Sequence, residues 1–293
     1  MRPGTPQHRD LFCRTFIDTH VVFEPEALPW PDLEPKYLER LRDFPLWGYA
    51  RAIEQRAGRM VTAFAQTLDD PLIREAVAVQ GVEETRHGRL MTHVLERYGI
   101  AVAPLDISDP PARREDFLIF GFGECTDSFV GFGAFAVARQ KQLFPDSLLA
   151  IFDNVLYEEA RHIAFFINWW RYEEARAGRD RMPQRWLDAA KYHVRALIGT
   201  AKGASDGPQL PELDGAQIKR MLDGLTPVMV LEAALAENAR HMSRLDSRLI
   251  KPILMPTLAR LAVVALRMLP PRAEAPATSR LQPVGTPASQ SAA

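Results

Sequence analysis

The chain has 293 residues, 47% apolar and 25% charged, with a formal net charge of −1. That content can bury a sizeable core, and the charge balance excludes a basic field for nucleic acid or an acidic solvating tail. Cys13 and Cys125 lie far apart outside any Cys-x-x-Cys pattern, so a reducing cytoplasm is expected rather than a disulfide framework. No apolar stretch at the N-terminus reads as a secretory signal.

Residues 1–45 are expected as an N-terminal extension. From Trp47 to Leu68 apolar residues recur at three and four, with Trp47, Ala50, Val61 and Ala65 on one face with Glu54. Asp69, Asp70 and Pro71 read as a stop followed by a helix start. A second helix is expected to about Tyr98, ending at Gly99. Ile100 to Arg113 holds three prolines and reads as a connection. A third helix is predicted over about 114–143 and a fourth over about 147–177, with a turn at Phe144, Pro145 and Asp146 between them. Further helices are expected over 184–202, 216–222 and 227–249, and strand signals are nearly absent. The expected fold class is therefore all-α. It comprises a four-helix bundle over 46–180, C-terminal helices packed on it over 181–270 and a disordered tail over 271–293.

The connection between the second and third helices is long. Fourteen residues reach about 45 Å when extended, enough to cross the length of a bundle, while the turns on either side are short. Leu249 to Leu269 is apolar, but Arg260 and Arg267 interrupt it and Pro252 and Pro256 break its start. A packed terminal helix is expected there, with contact to a membrane surface through 249–269 as the alternative.

The chemistry is carried by two copies of one motif, Glu83-Glu84-Thr85-Arg86-His87 and Glu158-Glu159-Ala160-Arg161-His162. Each contains Glu-x-x-His, whose spacing puts a carboxylate and an imidazole on one helical face. The other two helices can be searched for matching carboxylates. Glu54 is the only acidic residue between Leu46 and Leu68. The midpoint of 54 and 84 falls on the turn at residue 69, which sets Glu54 beside Glu84 in an antiparallel pair. By the same construction Glu124 meets Glu159, with Asp127 as the alternative. Four carboxylates and two imidazoles at one level would suit a pair of iron or manganese ions.

The order Glu54, Glu84-x-x-His87, Glu124, Glu159-x-x-His162 resembles the non-haem diiron carboxylate proteins of the ferritin-like superfamily. The longer motif looks like that of bacterial multicomponent monooxygenases and acyl-carrier-protein desaturases. The resemblance covers about Trp47 to Ala177 and implies a ferritin-like bundle with a long crossover. It also implies two iron ions, with manganese or a mixed pair as alternatives. Glu54 and Glu159 are then expected as terminal or shifting ligands, Glu84 and Glu124 as bridging ones, and His87 and His162 as one ligand to each ion. Glu83, Arg86, Glu158 and Arg161 are expected to orient the imidazoles. The implied activity is that of a diiron oxidoreductase: a monooxygenase, N-oxygenase or desaturase acting with dioxygen on a small or lipid-like organic substrate. An external reductase or ferredoxin would supply electrons, and a homodimer is possible. The alternative is a ferroxidase or a non-catalytic metal-binding protein.

Ser128 lies one turn beyond Glu124, where the resembling monooxygenases place a hydroxyl residue that delivers protons; a bond to its own backbone is the plainer expectation. Gly121 and Gly131 share that face, consistent with room for substrate or with close helix packing. Glu237 and His241 are spaced i, i+4, so His241 could add a ligand or serve as an ordinary histidine. The arylamine N-oxygenases of the superfamily carry an extra histidine where this chain has Val155. His8, His20, His93 and His193 have no partner pattern and are assigned no role.

Overall fold

A computed structural model describes residues 2–103, 112–202 and 224–268. It is all-helical, with no strand among the described residues. The helices are α1 (Pro6–Asp18), α2 (Pro35–Arg42), α3 (Trp47–Ala65), α4 (Pro71–Arg97), α5 (Arg114–Gln140), α6 (Asp146–Leu149), α7 (Asp153–Arg176), α8 (Gln184–Lys202), α9 (Pro227–Ser243) and α10 (Leu254–Met268). The helix expected at 216–222, the middle of the long connection and the tail over 271–293 lie outside the described residues.

Local chemistry sets the bundle boundaries. Asp70 caps α4 by accepting from the backbone N–H groups of Leu72 and Ile73 at 3.0 and 3.2 Å. Pro71 follows at the first helical position, where its missing N–H costs nothing. Gly99, at φ +60°, lets the chain leave α4 in a left-handed turn. The fourth expected helix begins differently from its sequence reading: α6 and a 3-10 turn over Ala150–Phe152 precede α7.

α3 and α4 approach closely because small residues face one another. A Cβ on Gly58 would meet Thr85 Oγ1 at 2.6 Å and its backbone nitrogen at 2.9 Å, while one on Gly81 would meet Thr62 Oγ1 at 2.5 Å. This approach brings Glu54 to His87. Gly58→Ala is therefore expected to destabilise the fold by about 1–3 kcal/mol through overpacking, despite alanine's advantage of about 1 kcal/mol in a helix. A lowered urea midpoint would show it; an unchanged or raised midpoint would mean that the helix pair yields freely.

Two apolar clusters enclose a polar layer. On one side Phe64 stacks on Phe117 with centroids 4.4 Å apart, and Trp169 meets Phe117 edge-on at 4.9 Å. On the other, Leu90, Val94 and Tyr98 pack with Leu148, Phe152 and Val155. The residues expected as an N-terminal extension are built into this body, since α1 packs on both α4 and α7. α10 buries Pro256, Ala259 and Val263 and leaves Leu258, Leu261 and Val264 exposed. No helix among the described residues is long and apolar enough to cross a membrane.

Candidate metal centre

Between the apolar clusters, α3, α4, α5 and α7 converge six of the residues singled out by sequence. Two overlapping groups could each hold a metal ion: Glu54, Glu84, His87 and Glu159, and Glu84, Glu124 and His162. His87 Nδ1 lies 3.5 Å from Glu54, 3.7 Å from Glu84 and 3.2 Å from Glu159. His162 Nδ1 lies 3.0 Å from Glu84 and 3.8 Å from Glu159. Glu84 is shared by both groups, and Glu159 faces both imidazoles. Glu159 belongs to the His87 group and Glu124 to that of His162, so Glu84 is the carboxylate common to the two. The motif carboxylates are central because each lies one helical turn before its own histidine and reaches the other's.

Behind the imidazoles the two motifs exchange partners. His87 Nε2 meets Glu158 at 2.9 Å, and Arg86 bonds the other oxygen of that carboxylate. His162 Nε2 meets Glu83 at 2.8 Å, and Arg161 donates to Glu83 at 2.6 Å. Glu83, Glu158, His87 and His162 are essentially inaccessible to solvent. With each Nε2–H donated outward, each Nδ1 carries a lone pair when the ring is neutral, and neither Nδ1 has a hydrogen-bond partner. A lone pair aimed at carboxylates is repelled unless a proton or a metal ion stands between them. The 3.0–3.8 Å separations match neighbouring donors that share an ion at about 2.0–2.2 Å. The donor set therefore fits metal ions, and the backing carboxylates fix the tautomer that binding needs.

Electrostatics support the same reading. Burial would pull both imidazoles down, yet the surrounding carboxylates outweigh it, lifting His162 to about 10 and His87 well above its ordinary value. Burial and neighbouring carboxylates raise Glu124 well above its usual range and Glu54 to about 7. The cluster without metal thus gathers protons, which metal ions must displace. Metal binding is expected to release protons. Apparent affinity should fall as pH falls, most steeply below about 7, where Glu54 also protonates. Calorimetry in buffers of different ionisation enthalpy would count these protons, and a pH-independent affinity would contradict the assignment.

Ser128 donates to Glu159 at 3.0 Å, rather than serving only its own helix. Asp127 is solvent-exposed and outside both groups. His241 is also outside them, stacked on Phe132 with centroids 4.5 Å apart. Gly121 admits the Phe166 ring, which a Cβ would meet at 2.2 Å, and Gly133 admits α9. Their role is close packing; Gly131 has nothing within 4 Å. Sequence reasoning missed His20, whose Nδ1 lies 2.5 Å from Glu83. It also missed Thr19 and the Phe16 carbonyl, both bonded by Arg161. Compared with known proteins, the chain matches no family model, no curated protein and no solved structure.

Proposed function

We propose that the protein is a ferritin-like diiron oxidoreductase that activates dioxygen to oxidise a small or lipid-like organic substrate. The observation that carries this reading is the pair of orphaned Nδ1 atoms, each backed by a buried carboxylate and facing shared glutamates. Glu54, Glu84, His87 and Glu159 would hold one ion, and Glu84, Glu124, Glu159 and His162 the other. Hard oxygen donors with imidazole suit iron, and manganese next. When bound, two ferrous ions supply electrons for the reduction of dioxygen.

The remaining work falls to the chain. Glu158 and Glu83 hold the imidazoles in one tautomer. Phe117, Phe122 and Phe166 lie in the apolar cluster beside the site and exclude water. Ser128 holds a proton at Oγ against Glu159. An external reductase or ferredoxin would restore the electrons between turnovers.

A ferroxidase is the second reading, favoured by the Phe166 ring that fills the space beside Gly121. Anaerobic loading with Fe(II), followed by dioxygen, separates the possibilities. About two irons per chain and a transient visible absorption, both lost in Glu84→Ala with helix content intact, support dioxygen activation at this centre. Continued oxidation of many Fe(II) per chain identifies a ferroxidase. No stoichiometric metal sinks both.

A further inference from the structure

Exposed apolar side chains are concentrated on two helices outside the bundle. Eleven of the fourteen large ones among the described residues lie within 182–198 and 253–268. On α10 they form a stripe of Leu258, Leu261, Val264 and Met268, each between 48% and 81% exposed. On α8 the stripe is Leu187, Val194, Leu197 and Ile198, which helical spacing sets on one side. Both helices rest on the same face of α5. Phe122 and Thr126 meet Tyr192 and His193 of α8, and Phe129 packs on Ala259 of α10. These three α5 residues are spaced i, i+4 and i+7. Apolar exposure gathered in this way marks an interaction surface, whereas single exposed side chains do not.

Charge selects the partner. Between Asp246 and Glu274 the sequence carries Arg248, Lys251, Arg260, Arg267 and Arg272 and no carboxylate. Arg260 and Arg267 stand one turn either side of Val264 and border the α10 stripe, where their stems can lie along apolar surface. α8 carries Arg185, Lys191, Arg195 and Lys202 against Asp188 alone. Glu232 and Glu115 answer Arg267 and Arg195, whereas Arg260 and Lys191 have no ion pair among the described residues. A second copy on a two-fold axis would set this patch, and its cations, against itself. An anionic bilayer answers both the apolar stripes and the charge. We propose that α8 and α10 dock the protein on a membrane surface rich in anionic lipid, lying in the interface without crossing it. The docking does not rest on the metal centre, although a surface-bound enzyme would meet a lipid-like substrate where that substrate dissolves.

The test is flotation of the full chain with vesicles of phosphatidylglycerol and phosphatidylcholine in equal parts, compared with vesicles of phosphatidylcholine alone. Partition onto the anionic vesicles is expected to be at least about tenfold greater, and to fall as salt is raised to about 0.5 M. Leu261→Asp and, separately, Leu187→Asp should each lower it about tenfold or more by placing a charge in an apolar stripe. Arg260→Glu should lower it about fivefold or more on anionic vesicles alone. Val22→Asp, at a side chain 80% exposed outside both helices, should change nothing. The substituted side chains are exposed, so circular dichroism should show the helix content and unfolding midpoint of the parent. Equal partition onto the two kinds of vesicle overturns the proposal, as does binding that either stripe variant leaves intact. A dimer in sedimentation that Leu261→Asp dissociates does so too, because it assigns the face to a second copy. Loss of the oxidase reading would leave every one of these outcomes unchanged, since none depends on bound metal.

Discussion

Glu83→Ala is expected to cost the metal-free protein about 3–5 kcal/mol, the usual penalty for breaking a buried ion pair by removing one partner. The carboxylate is fully buried and serves Arg161, His162 and His20 at once. Arg161 is 2% exposed and would lose the carboxylate it donates to. Its bonds to Thr19 and the Phe16 carbonyl hold the end of α1, so that helix should loosen first. Urea unfolding would give the loss, and hydrogen exchange would place it at residues 6–20. Glu83→Gln, which retains an acceptor, should lose less than half as much. A loss below about 1 kcal/mol for Glu83→Ala would mean that water replaces the carboxylate, as at an exposed pair.

The second large effect concerns stoichiometry. Glu84 belongs to both groups, Glu54 only to that of His87 and Glu124 only to that of His162. Glu84→Ala should therefore abolish binding at both positions. Glu54→Ala and Glu124→Ala should each leave about one ion per chain, with affinity for the other lowered by about tenfold or more. Co(II) titration would display this, because Nδ1 coordination by each histidine is spectroscopically separable. Equal losses in all three variants would indicate one cooperative site rather than two overlapping ones. A full complement in Glu84→Ala would remove the shared carboxylate from the scheme.

The parts of this architecture that were legible in the sequence are those encoded by short-range spacing. The i, i+3 motifs and the position of Pro71 placed the bundle helices, and counting outward from each turn brought Glu54 to Glu84 and Glu124 to Glu159. The rest depends on distance along the chain. His20 meets Glu83 across 63 residues and Arg161 meets Thr19 across 142, separations that no periodicity records. α1 and α2 were not foreseen, although Pro6 and Pro35 sit at their first turns and were a usable start signal. That Glu159 reaches His87 turns on how close α4 stands to α7, which spacing within one helix does not express. Gly58 and Gly81 signal the close α3–α4 approach, but only once the two helices are known to face each other.

The clamp on α1 also orders events during synthesis. Residues 6–20 leave the ribosome before the Glu83 and Arg161 that hold them, which lie on α4 and α7. At roughly 5–20 residues per second, the wait before α7 is complete is about 10–30 s. For that interval α1 lacks the α7 half of its docking surface. α1 is thus translated well before the partners that hold its end.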